Sequence, residues 1–412
     1  MHFSLYPFIF SLLPLFLFLV FLLKWLSITA RPPRKNPPPS PRKLPLIGNL
    51  HQMGPFPHRS LHSLSQAHGP LMLLHFAAAP VLIASSSSAA RDIMKTHDLI
   101  FSNRPKSTIC EKLMYATKDV AFSPYGEYWR QMKSICVLQM LSNKRVQSFR
   151  DIREEETALM IEKILNSGSD VVNLSELIVE LTANVVCRAA FGLKYDGVGG
   201  RGGGARRGFK EDVFAAGTDT TSTALEWVMT ELLKHTQAMK KLQAEVRVIA
   251  QSNQPVTEDD LDQMPYLKAV IKETLRLHPP SPILVPREST KDVQVMGYDI
   301  AAGTRVVVNA WAIGRDPASW DEPEEFRPER FLNGHSIDFR GQDFELIPFG
   351  AGRRGCPGIQ FAVAVDELAV ANLVHKFDFA LPDGVELDVS EDVGINVHKK
   401  LPLLLVATPW SC

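Results

Sequence analysis

The stretch Pro348–Gly358, "PFGAGRRGCPG", constrains this chain more than any other. Gly350, Gly352, Gly355 and Gly358 crowd a single cysteine, Cys356. Glycine lets a backbone turn tightly and come close to a flat, bulky ligand. The run that follows, "IQFAVAVDELAVANLVHKF", has helical periodicity, and Pro357 suits a first turn. Cys356 is then expected at a helix N-terminus, where the dipole and free N–H groups favour a thiolate over a thiol. A thiolate caged by N–H donors suits the axial position of a haem iron. A structural cysteine beside a glycine loop is the alternative these residues also allow.

Composition removes several function classes. Lys+Arg and Asp+Glu are both 45, so the formal charge is zero and nucleic acid is not an expected partner. Five scattered cysteines (Cys110, Cys136, Cys187, Cys356, Cys412) form no CxxC pair, which argues against a disulfide framework or structural zinc.

The N-terminus differs from the rest. Phe3–Leu23 carries no charge over 21 residues, about 30 Å of helix, the thickness of a bilayer core. No Lys or Arg precedes it, whereas Lys24, Arg31, Arg34, Lys35, Arg42 and Lys43 follow, which predicts a cytosolic main body. Six prolines from Pro32 to Pro41 make a stiff spacer. The expected organisation is a membrane anchor over 1–24, a basic hinge over 25–45 and a catalytic domain over 46–412. A cleaved signal peptide is the alternative, disfavoured by the length of the apolar run.

Short apolar runs predict a hairpin near Leu71–Ala84. Residues 130–165 predict amphipathic helices, and 209–250 a helical stretch of two helices. "YLKAVIKETLRLHPP" is a helix stopped by Pro279 and Pro280. Strands are expected over Val293–Val308 and in the tail "LPLLLVATP". Helices dominate, with a minor strand subdomain at each end.

Two further motifs carry chemistry. In "AAGTDTT", 215–221, a threonine hydroxyl can bond back to a carbonyl and open the helix, and Asp219 beside Thr220 can relay protons. In "ETLR", Glu273 and Arg276 share one helix face at i, i+3.

The spacing Phe349-x-x-Gly352-x-Arg354-x-Cys356-x-Gly358 resembles the haem-binding signature of the cytochrome P450 superfamily. The resemblance extends over nearly the whole chain and is strongest to plant microsomal members of secondary metabolism. It implies a mainly α fold with a minor β subdomain, haem b as cofactor and Cys356 as iron ligand. It makes Asp219 and Thr220 the acid–alcohol pair, and joins Arg330 of "FRPERF" to Glu273 and Arg276 in a structural ion-pair network. It assigns Trp129, Lys133, Arg287 and Arg354 to the haem propionates. Family members often have arginine where Lys133 stands, so the bidentate fork is lost there. The implied reaction is insertion of one atom of O2 into a small hydrophobic metabolite, a terpenoid, coumarin or similar. The implied partners are NADPH-cytochrome P450 reductase and the endoplasmic reticulum membrane.

One stretch departs from the family. "GVGGRGGGARRG", 197–208, stands where the family has helices that roof the substrate pocket. It resembles the scar of an internal deletion. The proximal side is retained in sequence, with distal pieces at Ser107–Phe122, Phe214–Thr221, Pro282–Val285 and Gly394–Val397. A truncated product that folds poorly or binds haem without turnover, and a haem-thiolate isomerase or dehydratase, are the competing readings; the Asp219/Thr220 pair weighs against the last.

Overall fold

The computed structural model describes residues 13–14, 16–21, 36–113, 119–194, 207–250, 254–332, 337–394 and 396–410, with the backbone alone at 109, 110, 113 and 207–215. The longer helices, in chain order, are α1 (Pro57–His68), α2 (Glu127–Cys136), α3 (Arg150–Asn166), α4 (Leu174–Phe191), α5 (Arg207–Lys234), α6 (Thr236–Ile249), α7 (Pro265–Leu277) and α8 (Ile359–Lys376). The strands are β1 (Leu71–Phe76), β2 (Ala79–Ala84), β3 (Val171–Asn173), β4 (Arg287–Glu288), β5 (Val293–Val295), β6 (Tyr298–Ile300), β7 (Arg305–Val308), β8 (Phe377–Ala380), β9 (Glu391–Val393), β10 (Val397–Lys399) and β11 (Leu404–Pro409).

Helices α3 to α8 share one apolar core, in which Ile178, Leu225, Leu242, Leu267 and Leu368 are fully or almost fully buried. Each such side chain contributes about 1.5–3 kcal/mol. α4 lies along α5 and closes on Gly192, whose φ of +70° ends it through an N–H bond to the Arg188 carbonyl. α7 stops at Leu277, because a residue before proline is steered out of the helical region and Pro279 and Pro280 follow.

The main sheet has the order β1-β2-β7-β4, with β2 and β7 parallel and the other pairs antiparallel. It packs a second core containing Leu82, Ile93, Phe101, Val306 and Phe344. A smaller sheet, β3-β11-β8, returns the chain's tail onto the helical layer, and β9–β10 and β5–β6 are antiparallel ribbons. The 71–84 hairpin, the two helices over 209–250 and the strands of 293–308 thus lie where the sequence pattern puts them.

Two expectations change. α8 begins at Ile359, because Gly358 has non-helical angles (φ −94°, ψ 11°); Cys356 and Pro357 precede the helix instead of opening it. α5 begins at Arg207, inside the glycine-rich stretch. The rest of that stretch, 197–206, lies outside the described residues, as does most of Phe3–Leu23. Of the latter, 13–14 and 16–21 are helical. Among the described residues no helix is long and apolar enough to cross a membrane.

Candidate active site

The Cys356 loop is closed by its own backbone. The Cys356 N–H donates to the Phe349 carbonyl at 2.9 Å, and the Gly355 N–H to the Gly352 carbonyl at 3.0 Å. Gly350 and Gly352 both sit at φ +67°. A Cβ on Gly352 would lie 2.3 Å from the Met94 carbonyl oxygen and 2.6 Å from Asp98 Oδ1. Gly352→Ala therefore combines left-handed strain of about 1–3 kcal/mol with a backbone clash. It is expected to reduce the fraction of protein that retains haem through gel filtration; retention equal to the parent chain would refute the clash.

The thiol is solvent-exposed on its open side. The Gly358 N–H points at Sγ from 3.4 Å. The protein around the sulfur raises the thiol pKa, outweighing the downward pulls of the Gly358 N–H and Lys133. With α8 starting at Ile359, the Gly358 N–H approaches the sulfur ahead of the helix end. Coordination to iron would itself deprotonate the thiol.

Around this loop converge cations that lack an equal number of acids. Arg287 (on β4) donates to the Ala351 carbonyl at 2.7 Å and meets Asp98 at 3.4 Å. Arg354 donates to the carbonyls of Ser102 at 2.7 Å and Ser123 at 2.6 Å. Lys133 (on α2) donates to the Arg353 carbonyl. Arg104, which no sequence motif singled out, donates to Ala121, Val285 and Pro286 carbonyls at 2.7–2.8 Å. Burial lowers the pKa of all four, and like charge adds to it: Arg287 and Arg354 act on Arg104, and Arg287 acts on Arg354, which comes down to about 10. Asp98 and Asp119 are the acids beside them. A ligand with two carboxylates fits such a cluster, and haem b carries two propionates. The Trp129 indole N–H donates to the Val120 carbonyl at 2.9 Å, and its ring centroid lies 4.0 Å from the Arg354 guanidinium.

Behind the loop, Glu273 is fully buried and receives Arg276 through two bonds of 2.8 Å. Glu273 Oε1 also accepts from Arg330 Nε at 3.0 Å and from the Arg327 backbone N–H at 2.7 Å. Arg276 also donates to the carbonyls of Gly314, Pro323 and Glu325, so the trio ties α7 to the segment before the cysteine loop.

On α5, the Thr220 hydroxyl donates to the Ala216 carbonyl at 2.6 Å. Gly217 lies against α4, where a Cβ would sit 3.1 Å from Val186. Gly217, Asp219 and Thr220 are half-buried and Ala216 is exposed. Leu284, at φ +48°, brings Pro282–Val285 against Gly350. Residues 114–118, Ile395 and the Phe214 side chain lie outside the described residues. A cavity of about 460 Å³ between Leu233, Lys234 and Phe379–Leu381 stands at the far end of α5, roughly 20 Å along the axis from Thr220. It is separate from this site.

A cysteine on a glycine-clamped loop, a dianion-sized cationic cluster and a helix carrying an acid–alcohol pair define a haem-thiolate protein. The cytochrome P450 family model matches residues 38–201 and 209–406, and the chain belongs to that family. Cytochrome P450 736A117 from Prunus mume is 51% identical, covering 98% of this chain and 96% of that protein. Psoralen synthase from Ammi majus is 46% identical over 96% and 97%. A zebra fish cytochrome P450 structure with abiraterone superposes with a TM-score of 0.77 at 26% identity, covering 87% of this chain and all of that one. The chain is thus a cytochrome P450 monooxygenase of the plant secondary-metabolism branch, with haem iron as cofactor. The alignment with the Prunus mume protein spans 500 positions and this chain has 412 residues, so at least 88 positions are gaps on its side. The family match is interrupted at 202–208, within the glycine-rich stretch.

Proposed function

We propose that this chain oxidises a small hydrophobic plant metabolite, a terpenoid, coumarin or similar, with electrons from NADPH delivered by cytochrome P450 reductase at the endoplasmic reticulum membrane. The observation that carries the reading is Cys356 on its clamped loop beside the Arg104, Arg287, Arg354 and Lys133 cluster. Ammi majus psoralen synthase and the Tanacetum parthenium 3-beta-hydroxylase, 45% identical over 97% of this chain, support the substrate class. The uncharged Phe3–Leu23 run followed by a basic hinge supports the anchor.

Haem, when bound, supplies the iron at which O2 is bound and reduced. The protein's own groups do the rest. Cys356 would ligate the iron. The cationic cluster would hold the propionates. Thr220 and Asp219 would hold and deliver protons, with the Thr220 hydroxyl able to leave the Ala216 carbonyl it now bonds.

The missing roof supports a second reading, a haem-binding form that does not turn over. At least 88 absent positions would admit water, which diverts reduced oxygen to peroxide. NADPH consumption and peroxide release in microsomes decide between them. Thr220→Ala is expected to raise peroxide released per NADPH at least about twofold, since the proton source is removed. An unchanged ratio would argue against the relay. No NADPH-dependent product across terpenoid and coumarin panels, from haem-loaded protein, would favour the second reading.

A further inference from the structure

The β9–β10 ribbon packs on α5, with Lys399 over the Trp227 ring and its turn gripping the acid of the acid–alcohol pair. Asn396 Nδ2 donates to Asp219 Oδ2 at 2.5 Å, and Ser281 Oγ donates to Asn396 Oδ1 at 2.7 Å. His398 Nε2 stands 3.6 Å from the same Oδ2. Its other ring nitrogen, Nδ1, lies 2.7 Å from Thr223 Oγ1. The Thr223 hydroxyl oxygen also lies 2.8 Å from the Asp219 backbone carbonyl oxygen.

Two arrangements satisfy these distances: Thr223 donates to the Asp219 carbonyl and accepts from Nδ1–H, or it donates to Nδ1 while Nε2–H faces the carboxylate. In the doubly protonated imidazolium Nε2–H faces Asp219 Oδ2, and this is the form that can give up a proton. About a third of the His398 side chain and just under half of the Asp219 side chain are exposed, and Asn396 is buried, so His398 competes with direct protonation by water.

We propose that His398 reprotonates Asp219 from solvent, with Asn396 as the positioning residue that turns Oδ2 toward it. A proton passes from His398 Nε2 to Asp219 Oδ2, and His398 then takes one from water; no electrons move. A shift of about half an ångström, or one bridging water, closes the 3.6 Å gap. Charged groups around the pair are Glu226 on α5, Lys399 on β10 and Asp392, the cross-strand partner of His398. Burial raises the Glu226 carboxyl pKa, with His398 and Lys399 opposing. This relay extends the monooxygenase reading, and two measurements keep the two separable.

The first needs no turnover. In the full haem-loaded chain with 13C-labelled histidine, the His398 signal is identified by its loss in His398→Gln and followed against pH. Asp219→Asn is expected to lower its midpoint by roughly half a pH unit, from loss of a charge about 4 Å away. An unmoved midpoint overturns the pairing. The second compares NADPH oxidation in reductase-containing microsomes at equal haem content. His398→Gln and His398→Phe are expected to be slower by at least about tenfold, with a changed D2O effect. Parent rates in both variants overturn the relay. A parent chain that binds haem yet oxidises no NADPH counts against the monooxygenase reading, and the titration still decides the pairing.

Discussion

Replacing Cys356 by alanine is expected to abolish the thiolate-type Soret band of the reduced, carbon-monoxide-bound protein, and all NADPH-dependent oxidation with it. Cys356 is the cysteine of the clamped loop, its N–H fixed to Phe349 and its Sγ on the open side. Alanine preserves the backbone, so the cationic cluster can still bind porphyrin while the axial sulfur is gone. Cys136 is the internal control. It is buried on α2, as an inert core cysteine is. Cys136→Ser is expected to keep the band and lose some stability. A thiolate-type band surviving in Cys356→Ala would remove the ligand assignment. A band absent from the parent chain itself would show that the shortened distal side prevents stable haem uptake.

Arg276→Met is expected to destabilise the protein by about 3–5 kcal/mol. The Arg276 side chain is wholly inaccessible and satisfies both Glu273 oxygens and three carbonyls from the 314–325 segment. Methionine fills much of the volume but strands a buried carboxylate and leaves those carbonyls unpaired. Arg330 Nε and the Arg327 N–H still reach one Glu273 oxygen, which limits the loss. Domains are typically stable by about 5–15 kcal/mol, so the variant is expected to accumulate poorly as holoprotein and to unfold at much lower denaturant. A midpoint within error of the parent would mean that the network is not a keystone of the fold. Glu273→Gln separates charge from shape, because it keeps the packing and removes the anion.

Much of this protein is readable from local pattern. Pro279 and Pro280 end α7, Gly192 ends α4, and alternation in 71–84 and 293–308 makes strands, because each signal acts within a few residues of itself. The Phe349–Gly358 spacing marks the cysteine loop for the same reason. Glu273, Arg276 and Arg330 were also legible, two through helix periodicity and the third through resemblance. Other features depend on contacts between distant segments. Whether Arg104 is a solvated charge or part of a buried cation cluster depends on Arg287 and Arg354, more than 180 positions away. The start of α8 at Ile359 reflects the Gly358 backbone angles, and with them the balance of effects on the Cys356 thiol. The grip of Asn396 and His398 on Asp219 joins residues about 180 positions apart. The sequence alone determined the main helices, the 71–84, 293–308 and C-terminal strands, the family and the cysteine proposed as iron ligand, because these rest on short-range periodicity and a contiguous motif. Only the tertiary structure decided which charges are buried together and what faces the acid of α5, because desolvation and Coulomb interaction depend on distance in space.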